Sequence, residues 1–198
     1  LQKARLAEVD RSTKETQINL ELNLDGSGNS KIKTGINFLD HLLSSFALHG
    51  LFDLNIKAEG NRHVDDHHLV EDIGITLGQA LVKALGDKKG ITRVGSVIVP
   101  MDDALILTSI DLSGRAYVDS DLEFERIKIG DLTSEMINHF LRSFATSGQF
   151  NLHIHALRGS NDHHKAEAVF KALGRALSQA VELNPRLKGR IPSEKGVL

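Results

Sequence analysis

The chain carries one ligand-rich motif twice. Asp66-His67-His68-Leu69-Val70-Glu71 returns as Asp162-His163-His164-Lys165-Ala166-Glu167, 96 residues on (66 to 162). The similarity extends upstream. The stretch from Leu39 through His41 and Phe46 to Ala47, then from Gly50 to Ala58, aligns with Ile137 through His139 and Phe144 to Ala145, then Gly148 to Ala156, at an offset of 98 (39 to 137). The two-residue difference falls in the connection that precedes the histidine pair. A duplication on this scale restricts the fold more than any local propensity, because both halves must follow the same order of elements.

Hydrophobic spacing gives that order. Thr16 to Leu24 alternates, with Ile18, Leu20, Leu22 and Leu24 apolar, and ends in Asp25-Gly26-Ser27-Gly28, so it predicts a half-buried strand closed by a turn. Ala104 to Leu112, ending at Ser113-Gly114, is its counterpart. Phe38 to Leu48 and Glu135 to Phe144 have helical spacing, with Gly50 and Gly148 as stops. A short alternating strand follows in each half (Leu54, Ile56, Ala58; Leu152, Ile154, Ala156). Then the histidine pair opens a second helix, Asp66 to Leu85 or Asp162 to Leu183, with the aspartate in the N-cap place. The expected fold is α+β: two β-β-α-β-α halves, sheet packed on helices. They are expected to form one unit, with halves of about 5–90 and 91–184 joined around Gly90 to Pro100, and an irregular tail 185–198.

Helix phase restricts which ligands share an ion. His67 and Glu71 are four residues apart and lie on one face, as do His163 and Glu167. His68 and His164 are each turned by roughly 100° from their neighbours and should face a different ion. If His41 and His139 each complete one site, the duplication permits a division into His67, Glu71, His139 and His164 against His163, Glu167, His41 and His68. Each set has three imidazoles and one carboxylate, leaving two open positions on an octahedral ion, and open positions are where metal catalysis occurs. One His-His pair at a helix start is ordinary surface chemistry, but neither packing nor solubility selects His, His and Glu at matching offsets twice. His49, His63, His153 and His155 have no counterpart and are expected to be structural or supporting.

Composition removes other classes. With no cysteine among 198 residues there is no disulfide framework, no thiolate zinc site and no cysteine nucleophile, so any metal is held by nitrogen and oxygen. A net charge of −2 without a long basic run argues against a nucleic-acid or membrane partner, and no apolar stretch approaches the roughly 20 residues that span a bilayer. The N-terminus has no signal-peptide pattern. The expected location is cytoplasmic, or plastid if a transit peptide precedes Leu1.

Five segments carry a family resemblance: FLDHLLSSFALHGLFDL, DDHHLVEDIGITLGQAL, SIDLSGRAY, NDHHKAEAVFKALGRAL and the C-terminal IPSEKGVL. Together, and in this order, they resemble the imidazoleglycerol-phosphate dehydratases of histidine biosynthesis, from about Arg5 to Leu198. The resemblance implies a duplicated fold like ribosomal protein S5 domain 2, with a four-stranded sheet and two helices per half. It also implies two Mn2+ per subunit, dinuclear sites at subunit boundaries, and a 24-mer built from trimers. The reaction implied is loss of water from imidazole glycerol phosphate to give imidazole acetol phosphate. The proton leaves a carbon not adjacent to a carbonyl, so the imidazole ring must supply the electrons that expel the hydroxyl.

The family's substrate contacts match Glu15, Arg93, Arg115, Lys171, Ser193 and Lys195, the last two of which make 185–198 a substrate-binding tail. Glu15 is the candidate acid or base, and with the metal-ligating Glu71 and Glu167 it completes the candidate catalytic carboxylates. The arginines suit a phosphate because a guanidinium donates two parallel bonds. On the ligand list alone, a dinuclear hydrolase of a phosphorylated small molecule is the competing reading. Ions that only join subunits are the non-enzymatic one.

Overall fold

Alternating burial builds two sheets of identical topology. The computed structural model describes residues 5–60 and 64–198. In the first half, β1 (Leu6–Ser12), β2 (Thr16–Asn23), β3 (Ser30–Lys33) and β4 (Asp53–Gly60) form a sheet of order β1-β2-β4-β3. In the second, β5 (Val94–Met101), β6 (Ala104–Asp111), β7 (Tyr117–Ser120) and β10 (Asn151–Arg158) repeat it as β5-β6-β10-β7. The last strand of each, β3 or β7, pairs parallel with β4 or β10, and the other pairings are antiparallel. Each half carries two helices: α1 (Asn37–Gly50) and α2 (His67–Leu85), then α3 (Glu135–Gly148) and α4 (Asp162–Val181). A short hairpin, β8 (Lys128–Ile129) with β9 (Leu132–Thr133), is inserted only in the second half. The fold is α+β and duplicated, with one strand more per half than the β-β-α-β-α reading. Among the described residues no helix is long and apolar enough to cross a membrane.

Helices pair across the halves. α2 packs on β1 and β2, and α4 on β5 and β6, while α1 lies against α4 and α2 against α3. Phe46 and Phe144, equivalent by the repeat, meet edge to face with ring centroids 6.2 Å apart, and each continues into its own half through Phe52 or Phe150. Equivalent residues that touch each other mark the axis relating the halves, so the two halves share one core. All four rings are fully buried, each stabilising by about 1.5–3 kcal/mol relative to exposure.

Several local expectations are corrected. Gly90 to Pro100 is not a simple connection, because Val94–Met101 is strand β5. Pro100 is tolerated there because β5 is an edge strand, where a missing N–H costs little. The helix stops are Leu51 and Gln149, both left-handed (φ 57° and 55°), rather than the glycines before them. Asp66 does hold the N-cap position of α2, but neither aspartate of the repeat caps its helix through its side chain. α4 is capped by Asn161, whose Oδ1 accepts from the His163 and His164 amides, and Asp162 lies inside the first turn. Asp162 Oδ2 accepts from the Arg126 amide, and Asp66 Oδ2 from the Thr133 amide, so both hold the segment around the β8–β9 hairpin. The tail contains one 3₁₀ turn, Pro185–Leu187.

That hairpin also supplies a cap from the other half. α1 begins after Ile36, whose side chain cannot accept a hydrogen bond, and Asp131 takes over: its carboxylate accepts from the Asn37 amide at 2.8 Å and the Phe38 amide at 2.9 Å. Burial pushes the Asp131 carboxyl up, but the Phe38 and Asn37 amides outweigh it and hold it below its ordinary value. Asp131→Ala is expected to cost about 1 kcal/mol, a fall in Tm of roughly 2–4 °C for a chain of this size. A carboxyl depressed in the folded state stabilises above its unfolded value near ~4 and loses that contribution as pH falls through the folded one. The gap between wild-type and variant melts should therefore close in acid. No gap at neutral pH, or one undiminished in acid, would show that Asp131 is not a working cap.

Candidate metal centre

The crossed helix pairing creates two equivalent ligand clusters. α1 against α4 brings together His41, His163 and Glu167, and α3 against α2 brings together His139, His67 and Glu71. In each, the three donor atoms lie within 4.8 Å of one another. Glu167 Oε2 is 3.4 Å from His41 Nε2 and 3.3 Å from His163 Nε2. Glu71 lies 3.3 Å from His139 Nε2 and 4.0 Å from His67 Nε2. His139 Nε2 is buried and, at that separation from Glu71, satisfies no hydrogen bond. A buried nitrogen without a partner is costly, and a shared cation would satisfy it together with the carboxylate. Donors of this kind, two imidazoles and a carboxylate, fit divalent ions of the manganese-to-zinc series.

The clusters differ in their surroundings. Glu167 is also 2.8 Å from Lys171 Nζ. Burial pushes its carboxyl up, but Lys171 and His41 together hold it below its ordinary value, so it stays ionised. His41, His163 and Glu167 line a cleft of about 550 Å³ with Phe38, whose ring packs on His163 at 5.1 Å. An adjoining cleft of about 440 Å³ shares His41 and Glu167 and adds Lys171 and His49. Burial, then Lys171 and Arg175, pushes the His49 imidazole down.

His68 and His164 do not join either cluster within the chain, so the fourfold division is met only in threes. Their helix phase turns them outward as expected, and each finds carboxylates instead. His68 Nδ1 is 3.0 Å from Glu15 Oε2. His164 Nδ1 is 2.6 Å from Asp103 Oδ1, and its Nε2 is 3.4 Å from Asp102. The Asn161 amide, His164 and the Ser160 amide hold the Asp103 carboxyl well below the usual range. Arg93 has its guanidinium on Asp111 (2.7 and 3.0 Å) and on the Pro192 carbonyl (2.9 Å), beside Ser193 of the tail. The Arg93 backbone is left-handed at φ 77°, unusual for a residue with a side chain. Arg115 Nη1 donates to the Ser113 carbonyl, and the Lys195 amide to Ser193 Oγ.

Residues 34–177 match the family model for imidazoleglycerol-phosphate dehydratase. The chain belongs to the imidazoleglycerol-phosphate dehydratase family. Membership makes it an enzyme, a hydro-lyase of histidine biosynthesis. The imidazoleglycerol-phosphate dehydratase of Caldicellulosiruptor bescii is 52% identical over 194 residues, covering 98% of each chain. That of Paraburkholderia phymatum is 54% identical over 98% of this chain and all of its own. Among solved structures, the imidazoleglycerol-phosphate dehydratase of Staphylococcus aureus superposes with a TM-score of 0.82 at 37% identity, over 90% of this chain and 99% of its own. The Pyrococcus furiosus enzyme, in complex with (S)-C348, gives 0.83 at 39%, over 96% and 100%.

The span matched to the imidazoleglycerol-phosphate dehydratase family contains all eight candidate ligands, together with Arg93, Arg115 and Lys171, while Glu15, Ser193 and Lys195 lie outside it. Sequence reasoning missed Asp102 and Asp103, which form the turn of the β5–β6 hairpin (Met101 pairs with Ala104) and flank His164. Their signal was an Asp-Asp pair at a two-residue turn. It also missed Asp131 and the Asp119 and Asp121 partners of His153 and His155. His63 lies outside the described residues.

Proposed function

We propose that the chain removes water from imidazole glycerol phosphate to give imidazole acetol phosphate, using two manganese ions per subunit in sites completed between copies of the chain, 24 of them built from trimers. The observation that carries this reading is the convergence of His-Glu-His twice, on crossed helices of a member of this family. Bound at such sites, the ions would supply Lewis acidity toward a ring nitrogen and the departing hydroxyl.

The protein's own residues divide the remaining work. His67, Glu71 and His139 hold one ion, and His41, His163 and Glu167 the other. Each cluster has three protein donors, so a fourth from a neighbouring copy can be added while positions stay open for substrate. His68 and His164 suit that part, because a carboxylate grips Nδ1 of each and leaves Nε2 to donate, that of His164 facing the exposed Asp102 at 3.4 Å. Glu15, already 3.0 Å from His68, is the carboxylate positioned to carry a proton beside the ion that His68 would complete. Arg93, Arg115, Lys171, Ser193 and Lys195 bind the phosphate. Arg93 does so with its fork pre-oriented by Asp111, and Lys171 by exchanging part of its pairing with Glu167.

A turnover assay with imidazole glycerol phosphate tests the reading. Manganese-loaded protein should form the ketone and release no inorganic phosphate. Chelation should abolish this, and added Mn2+ should restore it. Phosphate release would instead favour the dinuclear hydrolase, and turnover indifferent to chelation would leave the ions, at most, a role in holding subunits together.

A further inference from the structure

A second ligand set lies on the opposite side of a sheet from the helices. Along β10, Leu152 and Ile154 point inward and are fully buried, so His153 and His155 point outward. The parallel strand β7 sets Asp119 opposite His153, and Asp121 follows two residues later on the same face. An H-x-H beside a D-x-D in register is a compact donor patch. His153 Nδ1 is 3.6 Å and His155 Nε2 is 3.7 Å from the same atom, Asp119 Oδ2, and the three donors lie within 4.8 Å of one another.

We propose that Asp119, His153 and His155 form a third divalent-cation site, for which zinc is the tightest-binding probe, with Asp121 as the residue that positions His155. Two donors on a tetrahedral zinc at about 2.0–2.1 Å stand roughly 3.3–3.5 Å apart, so each histidine is within a few tenths of an ångström of sharing an ion with Asp119. Separations of 3.6 and 3.7 Å are too long for hydrogen bonds, so the pairs are not explained as such. Asp121 Oδ2 is 3.1 Å from His155 Nδ1, while its Oδ1 accepts from the Ala156 amide at 2.8 Å. This carboxylate–imidazole support fixes the ring with Nε2 toward Asp119, the arrangement found behind metal-bound histidines. Two imidazoles and one carboxylate bind zinc more strongly than manganese in the divalent series. They leave one tetrahedral position for water or a donor from another molecule.

The duplication supplies an internal control. The same places in the first sheet hold Lys31 opposite Asn55 and Lys33 opposite Lys57, a cationic face that would repel an ion. Neither fold nor packing therefore demands the His and Asp side chains in the second sheet. On the other flank, β6 presents Ser109 and Leu107 and no competing cation.

Zinc binding tests this independently of the dehydration reading. Wild type, His153→Gln/His155→Gln and Asp121→Asn are dialysed against Zn2+ and their zinc per chain measured. All three retain the helix clusters, so the difference isolates this site. Wild type should hold one more Zn2+ per chain than the double variant, and Asp121→Asn should bind that ion 10–100-fold more weakly while keeping its stoichiometry at saturation. Zinc-soaked wild-type crystals should show an anomalous peak between His153 and His155. Equal zinc in wild type and a folded double variant, or no peak there in wild type, overturns the proposal; the crystal decides if the double variant fails to fold.

Discussion

Glu167→Gln is expected to remove one metal ion per chain and to lower turnover on the order of a thousandfold. Glutamine keeps the size of the side chain and loses the charge that two imidazoles face at 3.3–3.4 Å. A metal contributes several kcal/mol to transition-state stabilisation, and each 1.4 kcal/mol is a factor of ten in rate. Glu71→Gln should remove the other ion with a similar loss of rate. The two variants should differ in stability, because their settings differ. Glu167 is 12% exposed and paired with Lys171 at 2.8 Å, so its loss leaves a half-buried ammonium short of a partner, at a cost of about 2 kcal/mol. Glu71 is 37% exposed and, among the described residues, its charged contacts are histidines, so its loss should cost much less. Metal analysis, initial rates and thermal melts on both proteins check this. Two ions retained in both variants would sink the paired-site reading.

The duplicated plan was legible because a repeat is a statement about three dimensions made in one. The helix phase of His67 and His68 likewise separates their partners before any fold is known, and His68 does lie with Glu15 rather than with Glu71. What the sequence hid is partnership across the chain. Nothing in Phe38 to Leu48 says that α1 packs on α4 rather than on α2 of its own half, because an apolar stripe states that a face is buried and not against what. The short strands were hidden for another reason. β3 alternates only between half-buried and exposed residues and β7 is more exposed still, so neither shows the buried apolar alternation that marks a core strand. Missing β7 also meant missing the register that sets Asp119 beside His153. Gly90 to Pro100 misled through its breakers. Gly95 belongs in a strand because the Ala176 carbonyl of α4 presses where a Cβ would stand.

Gly174→Ala is expected to destabilise the protein by about 3 kcal/mol and to disturb the His41 cluster with it. Propensity alone predicts the opposite sign, since alanine in a helix interior is favoured over glycine by up to about 1 kcal/mol. Packing decides. A Cβ on Gly174 would overlap the Phe46 carbonyl and stand 3.0 Å from the Gly50 amide nitrogen, both backbone atoms of α1 that cannot rotate away. The repeat reproduces the crossing on the other side, where a Cβ on Gly78 would stand 2.6 Å from the Gly148 nitrogen and 2.7 Å from the Phe144 carbonyl of α3. Relief requires the helices to separate, and overpacking of a dense interior costs typically 1–3 kcal/mol, more when backbone must move. For a chain of this length that is a fall in Tm of roughly 6–12 °C. Because α1 carries His41 and α4 carries His163 and Glu167, the same displacement widens the ligand triangle, so metal affinity at that cluster should fall while the His67 cluster keeps its ion. Gly78→Ala should show the mirror pattern. A raised Tm in either variant would mean that helix propensity wins and that the glycine crossings do not set the spacing of the ligands.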